Sequence, residues 1–82
     1  MAKNKQKPPR VVALEHLPIE LYKLLKYENL VMSGGEAKLL ISEGYVHVNG
    51  EVETRKAKKI FAGDVVSLGE AQLKVTQAAS NH

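Results

Sequence analysis

The sequence predicts an α+β fold in which two short helices pack together against a small, mainly antiparallel sheet. Three observations carry this expectation: helical apolar spacing up to Tyr27, a serine-led helix start at Ser33, and a following series of short alternating segments joined by two-residue glycine turns. Helices grouped before strands define an α+β chain, with the helices on one side of the sheet.

Each element has its own signal. Residues 1–10 are polar, include Pro8 and Pro9 and show no period, which predicts a disordered basic arm. Val11 to Leu14 reads as a short edge strand. From Ile19 to Tyr27, Leu21, Leu24 and Leu25 recur at helical spacing with Tyr22 beside them, and Pro18 suits a first helical position. Leu30 to Met32 then forms a connection. Ser33 followed by Glu36 is a capping box: the serine oxygen accepts from a backbone N–H while the glutamate reaches back to another. Ala37, Leu40 and Ile41 form the buried stripe of this second helix, and Gly44 is placed as its left-handed C-cap.

The strands follow. Tyr45 to Val48 alternates, with Val46 and Val48 inward and Tyr45 and His47 outward; Asn49-Gly50 is a hairpin turn and Val52 lies on the return strand. Ile60 and Phe61 are expected to re-enter the core, and Gly63-Asp64 to turn the chain into a strand over Val65 to Leu68. Gly69-Glu70 makes a second hairpin, returning through Ala71 to Thr76 with Leu73 and Val75 on one face. The expected organisation is a basic arm over 1–10, one domain over 11–77 and a polar tail over 78–82.

With 82 residues the chain can build one modest core, and with no cysteine that core has neither disulfide nor thiolate metal site to support it. The lack of cysteine fits a reducing compartment. Val11 to Leu14 is too short for a signal-peptide core or a membrane span, so no membrane association is expected and the protein is read as cytoplasmic. His16, His47 and His82 lack metal-motif spacing, so neither metal nor cofactor is expected. Ser33 and Ser42 have no paired base nearby and there is no phosphate-cradling glycine loop, which excludes the common enzyme classes.

Charge is unevenly distributed. The net charge is only +3, but residues 1–10 hold Lys3, Lys5, Lys7 and Arg10 with no acid. Lys23, Lys26 and Lys38 then face seven glutamates up to position 53, before Arg55, Lys56, Lys58 and Lys59 restore a basic block opposed only by Asp64. Segregated basic blocks are the electrostatic footprint of a polyanion partner.

The ordered set of motifs resembles the RNA-binding domain family named after small ribosomal subunit protein four. The matching elements are the leucines Leu21 and Leu24-Leu25, the Ser33 to Ala37 helix start, Gly44-Tyr45-Val46-His47-Val48-Asn49-Gly50, the Arg55 to Lys59 segment and Gly63-Asp64, together spanning Pro18 to Leu68. The run Ser33-Gly34-Gly35-Glu36-Ala37-Lys38 is similar to that of the small stand-alone branch. Glycines stand where many members have arginine, and the first helix lacks their arginine and aspartate. The resemblance implies an αL-type fold, a non-catalytic role without a cofactor, and binding to structured RNA, ribosomal or transfer; it points to Lys38, Arg55, Lys56, Lys58 and Lys59 as the contacts.

Residue chemistry adds candidates. Four cations in five residues repel one another unless an anion is at hand, and Arg55 has the planar fork that grips phosphate bidentately. Lys23 and Lys26 could extend the basic strip along the first helix, Gly34 and Gly35 would let a phosphate approach the second helix, and Tyr45 and His47 could stack on unpaired bases. The expected partners are ribosomal or transfer RNA and the ribosomal subunit, bound by a monomer. The alternative is a protein-interaction module that docks its partner on the acidic stretch.

Overall fold

The structure is a computed structural model and describes residues 9–79. The expected arm and tail otherwise lie outside the described residues. In chain order the elements are β1 (Arg10–Leu14), β2 (Ile19–Glu20), α1 (Leu21–Tyr27), α2 (Gly34–Ser42), β3 (Val46–Val48), β4 (Glu51–Val52), β5 (Lys59–Ile60), β6 (Val65–Leu68) and β7 (Ala71–Gln77). Five strands form one sheet in the order β1-β7-β6-β3-β4, and β2 pairs with β5 as a separate ribbon. Only the edge pair β1/β7 is parallel. The α+β expectation and the mainly antiparallel sheet are thus what the chain adopts.

Alternation fixes which sheet face is buried. Val12 and Leu14 of β1, Val46 and Val48 of β3, Val66 of β6 and Leu73 and Val75 of β7 point to one side. There they meet Leu21, Leu24 and Leu25 of α1 and Ala37 and Ile41 of α2 in one continuous cluster. Each fully buried leucine contributes about 2 kcal/mol of transfer free energy. No polar or charged residue is buried among the described residues, so the core is wholly apolar there.

Both helices end with the same device. At Gly44 (φ 87°) the N–H donates to Ile41 O at 3.1 Å and the next N–H, of Tyr45, donates to Leu40 O at 3.1 Å. Asn29 (φ 61°) ends α1 in the same way, its N–H on Lys26 O and that of Leu30 on Leu25 O. This double bond pattern satisfies carbonyls that the helix leaves free. At the other end of α2, Ser33 Oγ accepts from the Glu36 N–H at 3.1 Å and Glu36 Oε1 accepts from the Met32 N–H at 2.8 Å, the reciprocal cap that the sequence predicts.

Five expectations need correction. Pro18 does not open the first helix: Ile19 and Glu20 are extended and pair with Ile60 and Lys59, and the helix begins at Leu21. Phe61 does not enter the core, being 53% exposed; Ile60 is buried, and the next residue of an extended segment faces the other way. Leu40 is half-buried rather than part of the fully buried stripe, and β3 starts at Val46, leaving Tyr45 just outside it. Arg10 is already the first residue of β1, so this strand begins one position before the expected Val11.

Candidate nucleic-acid interface

The basic segment is held by main-chain bonds. After β4 the Glu53 N–H donates to Val46 O at 2.9 Å, and the chain then leaves the sheet. Helix α1 has no side-chain N-cap; its first N–H groups, on Leu21 and Tyr22, donate to the carbonyls of Lys58 at 2.9 Å and Lys56 at 3.1 Å. A turn closed by Lys58 N–H on Arg55 O at 3.2 Å and the β2/β5 pairing complete the anchorage. The lysine side chains of this segment are therefore carried on a backbone docked to the start of α1 and to β2.

An open groove of about 600 Å³ runs between α2 and this segment, lined by Lys38, Leu39 and Ser42 on one side and Thr54, Arg55, Lys56 and Ala57 on the other. Lys38 Nζ lies over the Tyr22 ring, 4.7 Å from its centroid, and Lys23 Nζ is 5.9 Å from it. A cation over an aromatic face is favourable and keeps its charge available to solvent on the other side. Next to the groove, a smaller hollow of about 330 Å³ gathers Arg55, Lys58 and Lys59 with Glu51, Glu53 and Asp64.

The acids around these cations are used selectively. Arg55 Nε and Nη2 donate to the two oxygens of Glu53 at 2.8 and 3.1 Å, and the Arg55 backbone N–H adds a third bond at 3.0 Å. These bonds hold the Glu53 carboxyl at about 2, against an opposing push from burial, and raise Arg55 above its ordinary value. Glu20 bridges Lys23 and Lys59, each at 3.4 Å, and its carboxyl is lowered chiefly by the Lys23 hydrogen bond. Lys38, Lys56 and Lys58 have no carboxylate ion pair among the described residues.

The structure therefore sorts the candidates named from sequence. Lys38, Arg55 and Lys56 share the groove; Lys58 and Lys59 line the adjoining hollow; Lys23 joins them through Tyr22. Lys26 is exposed on α1 and lines neither. Gly34 and Gly35 open α2, where the Glu36 carboxylate already caps the turn. Tyr45 is exposed and His47 half-buried; His47 sits on the outer sheet face between Ser67 and Val52, away from the helices. The expectation that the four clustered cations need an outside anion is corrected for Arg55 and Lys59, whose carboxylates come from Glu53 and Glu20. Sequence reasoning missed Tyr22 and Glu53. The Glu-x-Arg spacing of Glu53 and Arg55 was a readable signal, whereas nothing local ties Tyr22 to Lys38.

A helix pair with a docked basic loop beside a five-stranded sheet defines a small binding domain, and its family is identifiable. The S4 domain model matches residues 12–76, and the chain belongs to the S4 domain family. It is 48% identical over 61 residues to YbcJ of Escherichia coli (strain K12), covering 74% of this chain and 87% of YbcJ. It is 37% identical over 57 residues to RlbA of Bacillus subtilis (strain 168), named a probable ribosome maturation protein, covering 70% of this chain and 80% of RlbA. The solution structure of E. coli YbcJ, described as revealing an αL motif involved in RNA-binding, superposes with a TM-score of 0.64 at 39% identity, covering 93% of this chain and 98% of that one. Among the described residues no helix is long and apolar enough to cross a membrane.

Proposed function

We propose that this protein is a non-catalytic RNA-binding protein that grips the phosphate backbone of structured RNA, ribosomal or transfer, along the groove between α2 and the basic segment. The observation that carries the reading is the placement of Lys38 and Lys56 on opposite walls of one open groove, neither with a carboxylate partner among the described residues. Two cations held a groove apart attract a polyanion better than they tolerate each other. The relatives add support, since the YbcJ structure is described in terms of RNA-binding and RlbA in terms of ribosome maturation. Ribosome association in the cytoplasm follows as part of the same proposal.

The acidic stretch offers a protein partner less. Glu20, Glu28 and Glu53 are paired with cations of this chain and Glu36 caps α2, so most of that charge is spent internally.

The test is a crosslinking pull-down from lysate at two salt concentrations, comparing the natural chain with a Lys38→Ala/Lys56→Ala variant. A defined set of ribosomal or transfer RNA sites, lost at high salt and depleted in the variant, supports the reading. If about three phosphates are engaged, a purified-RNA titration should give a log–log salt slope between about −2 and −2.7. Protein partners that persist after nuclease, with no RNA enriched, would overturn it.

A further inference from the structure

Arg55 has the side chain best suited to phosphate in the groove, yet the Nε/Nη2 edge of its guanidinium is already occupied. Glu53 offers it two oxygens, and three N–H groups of the one arginine residue converge on them at 2.8, 3.0 and 3.1 Å. A carboxylate and a phosphate present two acceptor oxygens to guanidinium in much the same geometry. Glu53 is also a well-held acceptor: its own N–H is bonded to Val46 O, and its side chain is 12% exposed while that of Arg55 is 71% exposed.

From this geometry we infer that Glu53 sets the affinity of the interface by standing in for a phosphate on Arg55, leaving Lys38 and Lys56 as the cations that engage backbone. The inference rests on the RNA reading for its ligand, though not for its geometry. A phosphate that displaced Glu53 would leave an enclosed carboxylate unpaired beside a polyanion, which makes the exchange unfavourable. Together Arg55 and Glu53 bring no net charge to the groove. Arg55 therefore contributes little counterion release in the natural chain, and removing the charge of Glu53 restores that contribution.

The experiment is a double-mutant cycle in RNA affinity and salt slope, with Glu53→Gln, Arg55→Ala and the double variant, each first checked for a native amide NMR spectrum. Arg55→Ala alone leaves the Glu53 carboxylate unpaired beside the groove, so affinity should fall by about 3-fold while the log–log salt slope keeps its natural value. Glu53→Gln should tighten binding by about 3-fold and steepen the log–log slope by about 0.7 to 0.9, the share of one phosphate. Both gains should vanish in the double variant. Weaker binding by Glu53→Gln, or a double variant that binds as weakly as Lys56→Ala, would overturn the inference.

A second readout needs no RNA: the Arg55 Nε–H resonance followed against added inorganic polyphosphate. It should stay in place in the natural chain and move in Glu53→Gln. That result together with no RNA binding by any variant would sink the function reading while upholding the role of Glu53; a resonance that moves equally in both proteins overturns that role.

Discussion

The N–H of Tyr22 donates to the carbonyl oxygen of Lys56 at 3.1 Å, so the uncapped first turn of α1 is satisfied by the backbone of the basic segment. Because the hold is through main chain, the Lys56 side chain is free for a ligand and dispensable to the fold. Lys56→Ala should leave unfolding free energy within about 0.5 kcal/mol of the natural chain, as surface changes do. RNA affinity, measured by anisotropy titration alongside urea unfolding, should fall by about 3- to 10-fold if the lysine loses one screened phosphate contact. A variant that unfolds early instead would place Lys56 in the structural class.

Asn49 joins the two hairpins. It holds φ at 54° in the turn after β3, donates through Nδ2 to Asp64 Oδ1 at 3.0 Å and accepts the Val65 N–H on Oδ1 at 2.9 Å. Asn49→Ala loses both side-chain bonds and places a Cβ residue in the left-handed region without local compensation, at a cost of about 2 kcal/mol. Asn49→Gly keeps the backbone freedom and loses only the bonds, costing about 1 kcal/mol. Thermal melts should separate the two, with the alanine variant about 5 °C lower than the glycine one.

Acid should act through Glu53. Its carboxyl is held at about 2 against an ordinary 4.5, mainly by the Arg55 hydrogen bonds. A depressed native pKa means that the pair stabilises the fold fully above pH 4.5 and loses that contribution as pH falls toward 2. Glu20, lowered by Lys23 and Lys59, acts with the same sign. Melting temperature followed from pH 7 to pH 2 should show the natural chain above Glu53→Gln near neutrality, the gap closing below pH 4.5. A gap that stays constant through pH 2 would mean that ionisation of Glu53 adds nothing.

What could be read from sequence was what is local. Ser33 with Glu36, Gly44 and Asn49-Gly50 each specify a cap or turn within a few residues, and each stands where the pattern places it. Ile19 and Glu20 could not be read, because a two-residue strand exists only through Lys59 and Ile60, far along the chain. The basic block was visible as composition. Which of its cations are already neutralised was not, since Glu20 meets Lys59 only through that same long-range pairing. Likewise Tyr22 comes under Lys38 only once the two helices pack.

Whether phosphate approaches α2 through Gly34 and Gly35 is decided by substitution. A Cβ on Gly34 would lie 4.0 Å from Tyr22 Cδ2, and one on Gly35 3.9 Å from Ser33 Oγ, both ordinary contact distances; neither glycine has a positive φ. Alanine at either position reduces the freedom of the unfolded chain at no native strain, so Gly34→Ala should raise stability by about 0.4 to 1 kcal/mol. Glu36 already supplies a negative charge to this turn, which disfavours a second anion there. RNA affinity of Gly34→Ala is therefore expected to match that of the natural chain in the same anisotropy assay. A loss of affinity in a variant that has become more stable would show that backbone approaches the helix start, and would return both glycines to the interface.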